Sequence, residues 1–206
     1  MRRILGRKTS SNVMKVLWGC AELGLDYERE DIGGPFGGND QPEYLALNPN
    51  GKVPTLIEDG FVLWESNAIL RYLASVHGQG TLWPTNAQTR ARAERWMDWQ
   101  LTILSPALVP VFWGYVRTPE AERDYEKLSA ARDVLEDVMA IVDRYLGETA
   151  FLGGDEFSMG DIPVGIAAYR WFALPIERKE LPQLRRWYDA LTERPGYREH
   201  IMNPME

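Results

Sequence analysis

The chain has 206 residues, of which 45% are hydrophobic and 26% charged, a composition typical of a globular protein rather than a disordered one. This length is enough for one large domain or two smaller ones, each with its own core. The formal net charge of −7 excludes a chain-wide basic field, so neither nucleic acid nor an anionic membrane surface is an expected partner.

Cysteine and histidine are too scarce for a disulfide or a zinc site. Cys20 is the one cysteine and the chain has two histidines, and no acidic cluster has the spacing of a magnesium site, so we expect no metal. The apolar stretch before Arg7 is too short for a signal peptide, and no later apolar run is long enough for a bilayer. We therefore expect a cytoplasmic protein.

The beginning of the chain predicts a strand, a helix and a second strand. Strand propensity marks 3–5, and helix-capping residues at 9–12 precede apolar residues at helical spacing. Gly24 is suited to end the helix, and 27–32 predicts the second strand. A βαβ unit of this length implies parallel strands joined by a right-handed crossover.

The next segment predicts a short helix, a hairpin and a longer helix. The short helix is expected at 42–47. Two strands, 53–58 and 61–64, flank Asp59-Gly60, a dipeptide typical of two-residue hairpin turns. A helix at 66–77 completes the order βαβαββα, in which helices pack on a sheet.

Strand signals stop after this segment. We predict a first domain at 1–78, a linker at 79–88 and an all-helical domain at 89–206. The first helix of the second domain is expected at 89–105, and Pro106 or Pro110 is expected to bend or break it, because proline restricts helix interiors.

Two further patterns support the helical assignment of this second domain. Apolar residues spaced by three and four from Leu128 to Val142 predict a long amphipathic helix. Ser158-Met159-Gly160-Asp161 is similar to a helix capping box with Asp in place of Glu, so Asp161 is assigned a structural role as a cap.

Three motifs together resemble the glutathione transferase family. They are the loop 48–54, which precedes a proline that is cis in the family, Glu65-Ser66 at the start of a helix, and the capping box at 158–161. Segments near both ends of the chain are most similar to one bacterial group of that family. The resemblance implies a thioredoxin-like domain followed by a helical bundle domain, working as a homodimer.

The resemblance also implies a glutathione site in the first domain. Val53, before the cis-Pro54, offers its backbone to the cysteine of glutathione. Ser66 and the positive end of its helix receive the α-carboxylate of the γ-glutamyl group, and Glu65 holds the ammonium. Without the resemblance Ser66 is a helix N-cap, a role compatible with ligand contact.

Two further residues match family positions that contact glutathione. Lys52 and Asn39 correspond to residues near its glycine end or its backbone. For Asn39, an ordinary turn residue is an alternative interpretation.

Activation of the sulfur requires a hydrogen-bond donor at the start of the first helix. A thiol has an ordinary pKa of about 8.5, which a hydroxyl and a helix dipole can lower. Ser10 matches the family's serine position, while Asn12 and Ser11 are alternatives, and at least one of the three is expected to cap the helix. Cys20 lies on the apolar face of the helix and is placed in the core. One bacterial group of the family carries a cysteine near the start of this helix and this chain does not, a departure that disfavours mixed-disulfide chemistry.

The second domain offers candidates for two further contacts. Phe112, Trp113 and Tyr115 follow Pro110 in the region where the family builds its electrophile pocket, and ordinary packing is the alternative. Asp98 is a candidate for contact with the partner subunit's glutathione, with a solvated helix carboxylate as the alternative.

The expected function is attack of the glutathione thiolate on a small hydrophobic or halogenated electrophile, a detoxification reaction. One alternative is glutathione-dependent reduction of a disulfide or peroxide on the same fold. The other is a binding or regulatory module without chemistry.

Overall fold

The computed structural model describes residues 1–205, and the chain forms two compact units, Met1–Trp83 and Pro84–Glu206. The four strands of the sheet lie in the first unit, and the described part of the second is helical. The predicted class, an α/β domain of thioredoxin-like order followed by an all-helical domain, is confirmed.

A mixed four-stranded sheet forms the centre of the first unit, in the order β2-β1-β3-β4. β1 is parallel to β2, as the βαβ prediction required, and antiparallel to β3, which is antiparallel to β4. Asp59 and Gly60 join β3 to β4 with φ values of 49° and 86°, the positive values that a type I′ turn needs. The strands are β1 Arg2–Leu5, β2 Glu28–Glu30, β3 Thr55–Glu58 and β4 Phe61–Trp64.

Helices pack on this sheet through one apolar cluster. Ile4 of β1 and Leu56 of β3 are fully buried in it, together with side chains of the first and third helices. Gly24, at φ +61°, follows the first helix and donates its N–H to the carbonyl of Ala21, so it ends that helix as predicted. The helices are α1 Ser11–Glu22, α2 Pro42–Leu45 and α3 Ser66–His77.

The second unit contains the remaining helices. The first of them begins two residues earlier than predicted, inside the expected linker, because the Asn86 side chain accepts hydrogen bonds from the N–H groups of Gln88 and Thr89. Within residues 1–205, no helix combines the length and the apolar character needed to cross a membrane. The helices are α4 Ala87–Trp99, α5 Ser105–Phe112, α6 Tyr125–Leu146, α7 Asp161–Ala173, α8 Pro182–Thr192 and α9 Pro195–His200.

We expected Pro106 or Pro110 to bend or break the first helix of the second domain, and the predicted break is wrong. Helical structure continues past Pro106 and Pro110, with π-helical segments at Gln100–Leu104 and Trp113–Arg117. A π-turn pairs each carbonyl with an N–H five residues onward, so the hydrogen-bond ladder can change register where proline has no N–H.

Asp161 joins three segments of the second unit. One carboxylate oxygen accepts from the N–H of Leu152 and from the indole Nε1 of Trp187, both at 2.9 Å. The other accepts from the N–H of Ser158 at 2.9 Å and from its hydroxyl at 3.3 Å. The Ser158 hydroxyl therefore donates to the carboxylate rather than bonding the helix backbone. Of the two reciprocal hydrogen bonds of a capping box, the one between the acidic side chain and the Ser158 N–H is formed.

Asp161→Ala should lower the free energy of unfolding by about 3 kcal/mol, because it leaves the N–H donors of Leu152, Ser158 and Trp187 without their acceptor. Urea unfolding measures this change. Asp155→Ala, at an exposed position on the preceding loop, is the matched control and should change stability by less than about 0.5 kcal/mol. Equal midpoints for the two variants would contradict the assigned role.

The stability difference should also depend on pH. Complete burial raises the pKa of Asp161 to about 6, and its hydrogen bonds only partly offset this effect. Because the folded pKa exceeds the unfolded value of about 3.9, the contribution of this carboxyl is largest below pH 4 and declines as the pH rises through 6. The gap between wild type and Asp161→Ala should therefore be wider at about pH 5 than at about pH 7.

Candidate functional site

A cleft of about 370 Å³ lies in the first unit at one edge of its sheet. Leu5, Thr55 and Trp64 pair across adjacent strands, so the segments beyond them meet at this edge. These segments are the loop after β1, the loop before β3 and the junction of β4 with α3. The predicted residues that line the cleft are Ser10, Asn12, Asn39, Lys52, Val53, Pro54, Glu65 and Ser66.

Hydrogen bonds from two buried side chains hold the loop before β3 in place. The Tyr44 hydroxyl donates to the Lys52 carbonyl at 2.5 Å, and the Asn48 amide donates to the same oxygen at 2.7 Å. Asn39 donates its amide to the carbonyl of Gly51 at 2.9 Å. Asn39 therefore stabilises this loop, a role that is compatible with a contact to a ligand.

The Val53-Pro54 peptide bond is cis, and Val53 packs closely against Gly6. Gly6 has φ +151°, and a Cβ there would lie 2.6 Å from Val13 Cγ2 and 3.1 Å from Val53 Cβ. Only glycine permits this approach without displacing the cleft wall.

The start of α3 places a carboxylate and a hydroxyl beside each other at the cleft. Glu65 has φ +72°, an uncommon value for a residue with a side chain, and such strain is concentrated at ligand sites. Ser66 is buried and is the first residue of α3, where backbone N–H groups and the helix dipole favour an anion.

The three candidates for sulfur activation differ in placement. Ser10 is the N-cap residue of α1, but its hydroxyl makes no capping hydrogen bond, contrary to the expectation for this polar stretch. Asn12 lines the cleft, and its Oδ1 accepts from the Ser66 hydroxyl at 3.3 Å. Ser11 opens α1 and is not among the residues that line the cleft. Ser10 and Asn12 are therefore the better-placed pair.

Sequence reasoning missed two cations. Lys15 on α1 is only 1% exposed, and its ammonium donates to the Ser66 hydroxyl oxygen at 3.4 Å. Arg7 lines the cleft, and Gly34 makes room for it, since a Cβ at Gly34 would lie 2.3 Å from Arg7 Nε. The position of Arg7 after β1 was an available signal, because ligands of α/β sheets bind beyond the carboxyl ends of strands. Lys15 has no comparable signal within an apolar helix pattern.

The protein's own thiol is not among the groups that line the cleft. Cys20 is completely buried in the core, and burial raises its thiol pKa to about 12. A thiol in that state supplies almost no thiolate at neutral pH. Among residues 1–205, no group of three or more His, Cys, Asp or Glu side chains could hold a metal ion.

The candidates from the second domain differ in their burial. Phe112 is a core residue, with the Arg170 guanidinium 4.0 Å from its ring centre, whereas Trp113 is 53% exposed. Tyr115 is partly buried, and its carbonyl accepts a hydrogen bond from Arg123. Asp98 is an exposed residue of α4.

Comparison with known proteins agrees with this geometry. A family model described as the glutathione S-transferase N-terminal domain matches residues 4–75, and one described as the C-terminal domain matches residues 119–190.

Similar proteins extend over the full chain. Glutathione S-transferase GstB of Escherichia coli K12 is 42% identical over 207 residues, covering all of both chains. Glutathione S-transferase 3 of Zea mays is 29% identical and covers 97% of this chain and 92% of its own length. A theta class glutathione S-transferase structure from Xanthomonas axonopodis pv. citri with glutathione bound superposes with a TM-score of 0.95. It is 47% identical and covers 100% of this chain and 99% of its own. The chain belongs to the glutathione S-transferase family, and its predicted likeness to a bacterial group of that family is confirmed.

Proposed function

We propose that this protein is a glutathione transferase that binds glutathione in the cleft of the first unit and directs its thiolate at a small electrophile. The observation that carries the proposal is the meeting of the Val53-Pro54 loop, the start of α3 and the start of α1 at one sheet edge. Its relatives bear the name glutathione S-transferase, and one similar structure contains glutathione.

The polar groups of the cleft complement the two ends of glutathione. At the γ-glutamyl end, Ser66 and the α3 N–H groups receive the α-carboxylate, and Glu65 receives the ammonium. At the glycine end, Arg7 and Lys52 supply positive charge for the second carboxylate. The backbone of Val53 pairs with the cysteine between them.

Ser10 and Asn12 then stabilise the sulfur. Hydrogen bonds from these side chains, at the positive end of α1, favour thiolate over thiol, and each pKa unit of lowering corresponds to about 1.4 kcal/mol. The thiolate attacks the electrophilic carbon, a carbon–sulfur bond forms, and a leaving group such as halide departs with the bonding electrons. Positioning of the two reactants supplies the rest of the rate enhancement.

The remaining features of the proposal concern the second substrate and assembly. Trp113 and Tyr115, together with the buried Phe112, provide the apolar surface for a hydrophobic or halogenated electrophile. Asp98 contacts the glutathione of the partner subunit in a homodimer. The setting is cytoplasmic detoxification.

Ser10→Ala combined with Asn12→Ala should lower kcat about 100-fold or more, because the sulfur loses its hydrogen-bond donors. The Kd for glutathione should stay within about threefold, since the contacts at both ends of the ligand remain. Turnover of a chlorinated nitroaromatic probe and titration of the bound thiol by ultraviolet absorbance test this. Ser11→Ala is the matched control. Full turnover by the double variant would refute the assignment.

Arg7→Ala should raise KM for glutathione about threefold to fivefold without changing kcat, because a partly exposed ion pair is lost. Glutathione esterified at its glycine carboxylate should be insensitive to the change. Lys8→Ala, at the exposed neighbouring position, controls for net charge. An equal effect on glutathione and the ester would show that Arg7 does not bind that carboxylate.

Sedimentation equilibrium should give about twice the chain mass of 23.6 kDa at micromolar concentration. In the same preparation, turnover of the chlorinated probe should exceed glutathione-dependent reduction of a mixed disulfide. The reverse order would favour the reductase alternative, and no glutathione binding at millimolar concentration would favour the non-catalytic module.

A further inference from the structure

Lys15 is a buried cation immediately behind the cleft. It lies on α1 one turn after Asn12, it is 1% exposed, and its Nζ is 3.4 Å from Ser66 Oγ. Burying an ammonium is costly unless hydrogen bonds compensate it. The hydrogen bond to Ser66 is one of the interactions that compensate this cost.

The chemistry of an ammonium determines what the Ser66 hydroxyl can do. An ammonium only donates, so Lys15 occupies an acceptor lone pair of Ser66 Oγ. The hydroxyl has a single hydrogen, which must therefore be donated elsewhere. Without a ligand it is donated to Asn12 Oδ1, at 3.3 Å.

A carboxylate at the start of α3 would compete for that same hydrogen. A charged acceptor binds a hydroxyl more strongly than an amide oxygen does. The Ser66 hydroxyl would leave Asn12 for the carboxylate, and the Asn12 side chain, no longer held through its Oδ1, would be free to rotate and direct its amide N–H groups at the sulfur. Occupancy at one end of the ligand is thereby linked to activation at its centre.

We propose that Lys15 is a positioning residue that makes Ser66 a one-way hydrogen-bond donor, so that the ligand's γ-glutamyl carboxylate takes the Ser66 hydrogen from Asn12. This inference rests on the proposed glutathione site. It adds to that site a residue outside the cleft lining and a reason for the orientation of Asn12.

The test compares glutathione with γ-aminobutyryl-cysteinyl-glycine, a probe that lacks only the α-carboxylate. In Lys15→Met the Kd for glutathione, measured by calorimetry, should rise about tenfold, and the Kd for the probe should change less than twofold. Lys8→Met, which removes an exposed lysine, should leave both values unchanged. Ser66→Ala should lose the same preference for glutathione, and adding Lys15→Met to it should have no further effect.

A second measurement on the unaltered chain tests the release of Asn12. Its side-chain amide signal, assigned by its loss in Asn12→Ala, should shift on saturation with glutathione in nitrogen-15 spectra. It should stay near its ligand-free position on saturation with the probe. This measurement decides the question if Lys15→Met does not fold.

The possible results distinguish an error in the role of Lys15 from an error in the proposed function. Equal weakening of glutathione and the probe in Lys15→Met, or no weakening of either, would overturn the role of Lys15. So would an Asn12 signal that responds identically to both ligands. Failure of the wild-type protein to bind glutathione would instead overturn the proposed function itself.

Discussion

The carbonyl oxygen of Lys52 is the point that fixes the cleft. Tyr44 and Asn48, both buried, donate to it, and both also hydrogen-bond the Thr55 hydroxyl. Burial raises the pKa of Tyr44, so its hydroxyl stays protonated and remains a donor across the physiological range. These bonds hold the chain at the bend before β3 and so determine where Val53 meets Gly6.

Local charge in the cleft opposes the charge of the whole chain. The protein has a net charge of −7, yet Arg7 and Lys52 line the cleft and the buried Lys15 lies beside Ser66 at the start of α3. A low-dielectric surrounding strengthens the field of Lys15, and the helix dipole has the same sign at that place. An anionic ligand is therefore attracted by the site although the rest of the surface carries a net negative charge.

Local patterns were sufficient for most of the fold. The Asp59-Gly60 turn, the glycine stop at Gly24 and the helix starting at Ser66 depend on residue chemistry over a few positions, and these predictions are confirmed. The continuation of helix past Pro106 and Pro110 was not predictable in this way, because it depends on π-helical turns.

The site likewise contains residues that local sequence patterns predict and one residue that they do not. Motif spacing identified the residues around Val53 and Ser66, since strand order brings those loops to one edge. Lys15 escaped notice because a lysine within an apolar helix pattern is ordinarily directed to solvent. Its burial follows from the packing of α1 against α3, which connects residues 51 positions apart.

The burial of Cys20 affects how the protein reacts with thiol reagents and how it can be labelled, rather than how it catalyses its reaction. Because the only cysteine is enclosed by the core and its thiol pKa is about 12, oxidants and alkylating agents in solvent have no thiol of the folded protein within reach. The protein thus exposes no thiol of its own to electrophiles, and the reactive thiol of the proposed reaction belongs to the replaceable co-substrate. A cysteine introduced at the surface would be a unique attachment point for a spectroscopic label, with the native residue left in place.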